Sequence, residues 1–251
     1  NSTSYGGGIK VYDNAIITMN DTEVSANTSS IDGGGIHGGQ QSAIILINSE
    51  INNNVADTSY GGGVYLSGAS TISIQGSEIN GNSTEKGGGL YVTDTSVVNI
   101  GSTTINTNIS TITGGGIYAF SESDIDFVNN VVISNNQAQT SFGGGIYTTS
   151  SRFDTLKYAL INNNHATAGS GIFIYQASIF IQNVTITENI ADSASCAGIV
   201  YYCDDADVDN HNVQIINSIL WNNNLGSQVA SYADLGNTIS DAIYIYFSDI
   251  Q

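Results

Sequence analysis

Apolar residues recur along this chain in columns rather than in one continuous stripe. Counting back from a recurrent asparagine, the third position reads Val24, Ile51, Ile79, Ile105, Ile133, Ile161, Ile186 and Leu220, and the eighth reads Met19, Leu46, Ile74, Ile100, Val128, Leu156, Ile181 and Ile215. A third column, Ile9, Ile36, Val64, Leu90, Ile117, Ile146, Ile172 and Ile199, follows a glycine unit. Around each aliphatic the polarity alternates with a period of two, which predicts short β-strands separated by turns, three to a unit. The last glycines of the units, from Gly8 to Gly198, lie 27, 28, 26, 27, 29, 26 and 27 residues apart. A strand-rich unit of that length cannot bury its own apolar face, so neighbours must stack. The spacing predicts an all-β, single-domain parallel β-helix over residues 1–251, three strands per coil and about 8–9 coils of about 27 residues.

The asparagines form a column too: Asn27, Asn54, Asn82, Asn108, Asn136, Asn164, Asn189 and Asn223. From last glycine to Asn the count is 19 in the first four coils, then 20, 19, 18 and 25, so the interior is nearly fixed in length. An inward side-chain amide carries donors and an acceptor, and a stack of them can satisfy itself as a ladder. The stretch from Asn to the next glycines varies in length and reads as a surface turn. Two coils depart from the pattern: Asp126 and Asp154 stand where the others have an aliphatic, each beside a phenylalanine, Phe127 and Phe153. A bulge that turns the ring inward is the expected solution.

The residue two places after the last glycine reads Lys10, His37, Tyr65, Tyr91, Tyr118, Tyr147, Phe173 and Val200. Alternation sends this column to the outer face. The aromatics Tyr65, Tyr91, Tyr118, Tyr147 and Phe173 therefore predict a stripe, either cross-strand support for an exposed sheet or a platform for sugar rings or another protein.

Composition sharpens the picture. The 251 residues include no proline, where average usage of about 5 % would give roughly a dozen, and a solenoid excludes proline because nearly every strand N–H bonds the next coil. Four basic residues against 22 acidic ones leave a net charge of −18, which repels nucleic acid and anionic membrane surfaces. No apolar run is long enough for a membrane helix. Abundant Asn, Ser, Thr and Tyr with few Lys suits an extracellular or cell-surface setting. A chain that starts at Asn1 and meets a glycine turn within five residues reads as a mature product or an excerpt. Cys196 and Cys203 flank a strand-like Ile199–Tyr202, and extended at about 3.3 Å per residue the two cysteines stand about 20 Å apart, which predicts two unpaired thiols.

Candidate chemistry is sparse. The acidic run holding Asp204, Asp205, Asp207 and Asp209 has the oxygen density of a calcium site, but lacks the glycine and closing glutamate of an EF-hand, so calcium or a merely solvated loop both fit. No other cofactor is expected. Polysaccharide lyases need a base beside acidic groups and hydrolases need paired carboxylates, whereas Arg152 and Lys157 stand apart from His37, His165 and His211 in separate coils. No catalytic site is expected. Among the N-x-S/T sequons, Asn27, Asn82 and Asn108 belong to the ladder, leaving Asn1, Asn20 and Asn183 as sugar acceptors.

Ile-x-x-Asn turns with Gly-Gly-Gly-Ile units resemble the Phe-x-x-Asn and Gly-Gly-Ala-Ile repeats of polymorphic outer-membrane proteins and other bacterial right-handed β-helix surface proteins. The segments 216–223 and 246–250 look like the closing coils of secreted β-helices with a separate C-terminal anchor. The resemblance covers nearly the whole chain and implies a right-handed coil and a surface passenger. The resulting expectation is a non-catalytic extracellular stalk, adhesin passenger or fibre subunit. Its partners would be flanking domains, copies of itself stacking on bare coil ends, glycans or a neighbouring surface protein. A glycan-binding module is the next expectation and a carbohydrate-active enzyme the last.

Overall fold

The structure, a computed structural model, describes residues 2–150, 152–192, 196–203, 213–224, 227–233, 243–246 and 248–250. Every assigned element among them is a β-strand, and every pairing between strands is parallel to the same position one coil further on. The strands collect into four sheets of 9, 9, 9 and 8 members. Numbered from the glycine unit, the first sheet begins Ile9–Val11, Ile36–Gly38, Val64–Leu66, and the second Ile16–Asn20, Ala43–Ile47, Thr71–Gln75. The third begins Glu23–Ser25, Glu50–Asn52, Glu78–Asn80, and the fourth Ser2–Tyr5, Thr28–Asp32, Val55–Ala56.

The apolar columns are the core. Ile51, Ile79 and Ile105 pair in register in the third sheet, Ile44, Ile72 and Val98 in the second, and all are fully buried. Each such side chain contributes about 1.5–3 kcal/mol by leaving water.

The fourth strand of each coil corrects the expected surface turn between Asn and glycine, so a coil has four strands rather than three. The reason is the second residue after the ladder asparagine, which is small and buried: Ser29, Ala56, Thr84, Ser110, Ala138, Ala166 and Ala191. A small side chain lets this short strand close the coil against the core. Corners between sheets are made by residues in the left-handed region, among them Asn53, Thr107, Asn135 and Asn163 just before ladder asparagines, each with φ of 53–54°.

The expected bulge is present, with a change of occupant. Ile100 pairs with Phe127 and Gly101 with Asn129, so the extra residue is Val128, which is 54 % exposed while Phe127 is buried. The slip puts Phe127, not Val128, in the core column opposite Ile100 and Ile125 in the one opposite Val98, so that Asp126 is spared burial there. One coil on, Phe153 pairs with Ile179 and Leu156 with Ile181, with a second register shift between them.

The triple glycine has a division of labour, seen at Gly87–Gly89. Gly87 turns the corner at φ +68°. A Cβ on Gly88 would sit 2.4 Å from the Gly115 carbonyl oxygen, so only glycine lets the coils approach there. A Cβ on Gly89 would meet the Gly116 carbonyl oxygen at 2.6 Å and crowd the ladder amide of Asn108 at 3.1 Å.

Candidate functional site

The aromatic column of the first sheet is a recurrent feature outside the aliphatic core. Tyr65, Tyr91, Tyr118, Tyr147 and Phe173 pair in register on successive strands, and their neighbours Val64, Leu66, Leu90 and Val92 point into the coil. Strand register alone sets ring on ring: centroids are 5.5, 4.8, 5.0 and 5.4 Å apart, with planes within 13° of parallel. The structure thus brings all five expected residues together.

It does not leave them in solvent. Tyr91, Tyr118 and Phe173 are buried, Tyr91 at 6 % exposure, and Tyr65 and Tyr147 are half-buried. The expected solvent-facing stripe is corrected to a covered stack. Its cover is the residue just before the glycine unit, which folds back around the tight glycine corner. Tyr60 stacks on Tyr91 at 4.5 Å, Phe142 on Phe173 at 4.4 Å, and Lys86 lies over Tyr60 and Tyr118 at 5.6 and 5.8 Å. The sequence signal was there in Tyr5-Gly6, Tyr60-Gly61 and Phe142-Gly143. Burial raises all four phenols, Tyr65 and Tyr147 to about 12 and Tyr91 and Tyr118 further. Faces turned to one another are unavailable to a sugar ring, which stacks on an open aromatic face.

His37 heads the column, enclosed by Tyr5, Tyr12 and Tyr65 at 5.3, 5.5 and 4.7 Å. Neither ring nitrogen has a well-aligned hydrogen-bond partner. Burial first, then the Lys10 ammonium, lowers the imidazole to about 4, with the Asp32 backbone opposing in part. Asp32, also buried, is raised to about 6 by desolvation, although its Oδ1 accepts the Tyr60 N–H at 3.2 Å. His37 is therefore neutral at pH 7.

The asparagine ladder is continuous. In each rung Oδ1 accepts both the backbone N–H and the Nδ2–H of the rung before, at 2.8–3.1 Å, from Asn27–Asn54 through Asn189–Asn223. The second Nδ2–H reaches the carbonyl of the aliphatic three places before the previous rung, as Asn108 does to Ile79 at 2.8 Å. Beyond Asn223 the Oε1 of Gln228 accepts the Asn223 N–H and Nδ2–H at 3.3 and 2.6 Å, standing in for a further rung. Rungs Asn54 to Asn189 are fully buried, and Asn27 is half-buried.

Hydroxyl ladders in two other corners went unrecognised in the sequence. Thr22 N–H donates to Ser49 Oγ, Ser49 N–H to Ser77 Oγ, and Ser77 N–H to Thr103 Oγ1, at 3.0–3.5 Å. Ser42, Ser70 and Ser96 repeat the arrangement.

The remaining candidates do not converge. Asp204, Asp205, Asp207, Asp209 and His211 lie outside the described residues, as does Asn1. Among the described residues no three His, Cys, Asp or Glu side chains group as metal ligands. Asn20 is exposed with Nδ2 on Asp21 at 2.8 Å, while Asn183 is half-buried and its Oδ1 accepts from Asn217. Cys196 is a buried free thiol, raised to about 11 by desolvation; the Cys203 side chain lies outside the described residues. His165 contacts Asp192 at 2.6 Å through Nε2 and Gln137 at 3.2 Å through Nδ1. No helix among the described residues is long and apolar enough to cross a membrane.

Residues 1–164 match the family described as the right-handed beta helix region. The chain belongs to that family. A right-handed β-helix accounts for the parallel register of all four sheets, and its members share the coil rather than one activity. No curated protein and no solved structure matches the chain.

Proposed function

We propose that this β-helix is a non-catalytic structural element of an extracellular or cell-surface protein, a stalk or adhesive passenger related in repeat type to the polymorphic outer-membrane proteins. One observation carries the reading: the asparagine that recurs from coil to coil bonds to its own kind in the next, and rings and hydroxyls repeat the arrangement over shorter runs. Asparagine binds asparagine, ring faces ring, and hydroxyl accepts from the backbone beneath it. Repetition of that sort builds a rigid rod.

Two measurements test it. Cells producing the protein should acquire label on it from a membrane-impermeant reagent, and the purified chain should leave polyuronates and neutral glycans uncut. Depolymerisation of any of them, or exclusion of the label from intact cells, overturns the reading. Calcium enters only through Asp204, Asp205, Asp207 and Asp209, and a melting temperature indifferent to chelation removes it. Glycan capture by the aromatic column is disfavoured by the covered ring faces; binding on a glycan array lost in both Tyr91→Ala and Tyr118→Ala would restore it. End-to-end assembly into a fibre would appear as concentration-dependent sedimentation.

A further inference from the structure

The ring column stops abruptly, and the place where it stops is a cavity. Phe173 is the last ring: its register partner on the next strand is Val200, and the one after that is Ala230. The covering column fails at the same level, since Phe142 bridges to Ala168. Two columns thus shrink from ring to small aliphatic within one coil, while a new pair, Tyr175 and Tyr202, begins alongside with centroids 5.5 Å apart. What remains between them is a groove of about 400 Å³, lined by Phe142, Phe173, Val200 and the flanking Tyr147, Tyr175 and Tyr202.

Its shape and chemistry restrict what fits. Phe142 lies within 11° and Tyr147 within 4° of the Phe173 plane, so one side of the groove is built of parallel rings. Among the described residues the groove is lined by no charged side chain, and the side-chain polar groups lining it are the tyrosine hydroxyls at Tyr147, Tyr175 and Tyr202. Water gains little in such a place, because it needs two to four polar partners. A dry cavity of roughly 150 Å³ already holds benzene, so about 400 Å³ accommodates one or two fused rings. An anion would face apolar walls in a chain of net charge −18.

We infer that this groove is a binding slot for a small planar aromatic molecule without negative charge, which takes the place of the missing ring and continues the stack. This goes beyond the structural role proposed above and does not depend on it.

Indole serves as the probe and indole-3-acetate as its anionic control, followed by ligand-observed saturation-transfer NMR and titration. Indole should bind with a sub-millimolar dissociation constant, and indole-3-acetate about tenfold or more weakly. Val200→Phe supplies the missing ring from the chain itself and should abolish indole binding with the circular dichroism spectrum intact. Phe142→Ala, at a half-buried position that removes one wall, should weaken binding about tenfold, and decides the matter if Val200→Phe folds poorly. Absence of saturation transfer to indole overturns the inference. So does equal binding of the two probes, or undiminished binding by folded Val200→Phe or by Phe142→Ala.

Discussion

Asn82 gives two hydrogen bonds to a single oxygen of Asn108: its backbone N–H at 3.0 Å and its Nδ2–H at 2.9 Å both end on Asn108 Oδ1. Asn108 in turn donates to Asn136 Oδ1 at 3.0 Å and to the Ile79 carbonyl at 2.8 Å. Truncation at this rung therefore strands groups on both sides. Asn108→Ala should cost about 3 kcal/mol or more, at the upper end for a buried polar deletion, and urea unfolding measures it. A midpoint equal to that of the unaltered chain would mean that the amide column carries no net stability.

Close approach, rather than turn conformation, makes the middle glycine irreplaceable. Gly88→Ala places a methyl 2.4 Å from the Gly115 carbonyl oxygen and should lower stability by about 3 kcal/mol or more. Gly76→Ala is strained at φ +60°, but its Cβ meets chiefly the movable Asn48 side-chain oxygen, 2.6 Å away. The loss there should be about 1–2 kcal/mol. Denaturant unfolding of the two variants side by side checks the order, which would have to reverse for the argument to fail.

Asp32 and His37 give opposite pH dependences. Asp32, raised from 3.8 to about 6, holds its proton in the folded state where the unfolded chain has lost it, so its contribution grows as pH falls from 6 towards 4. His37, lowered from 6.5 to about 4, stays neutral when folded while the unfolded imidazole protonates, so its contribution shrinks over nearly the same interval. The two offset each other in the natural chain. Asp32→Asn should unmask the histidine and lose stability on acidification from pH 6.5 to 4, whereas His37→Gln should gain it from pH 6 to 4. Thermal melts across that range would show slopes of opposite sign, and parallel slopes would contradict the assignment.

The stacked phenols should resist base. Tyr65 and Tyr147 are raised to about 12, and Tyr91 and Tyr118 higher still. Because the unfolded phenols ionise near 10 and the folded ones do not, stability should fall as pH rises above about 10. Ultraviolet titration of the native protein should show these four ionising only with unfolding. A single smooth transition of all tyrosines near pH 10 would show that the stack is open to water.

Much of this arrangement is legible in the sequence because coils stack like on like: a 27-residue recurrence places Ile79 on Ile105 and Asn82 on Asn108 without any knowledge of the corners. What escapes is whatever depends on side-chain size instead of polarity. Ala138 and Ala166 look like turn residues, yet their smallness makes the fourth strand. The inward turn of Phe127 is legible from Asp126 beside it, but Val128 and Phe127 are both apolar, and only the one-residue slip in pairing takes Val128 out of the core column. Alternation gives the outward direction of Tyr91 and Tyr118, but not their burial, because the covering Tyr60 comes from the preceding corner.

The backbone bonds between coils all run from one turn to the same place on the next, along the long axis of the stack. Pulled by its two chain ends, such a molecule meets the load one turn at a time, like thread leaving a spool, and each turn that peels away releases about 90 Å of slack. A tether made this way lengthens in steps under force instead of breaking at once.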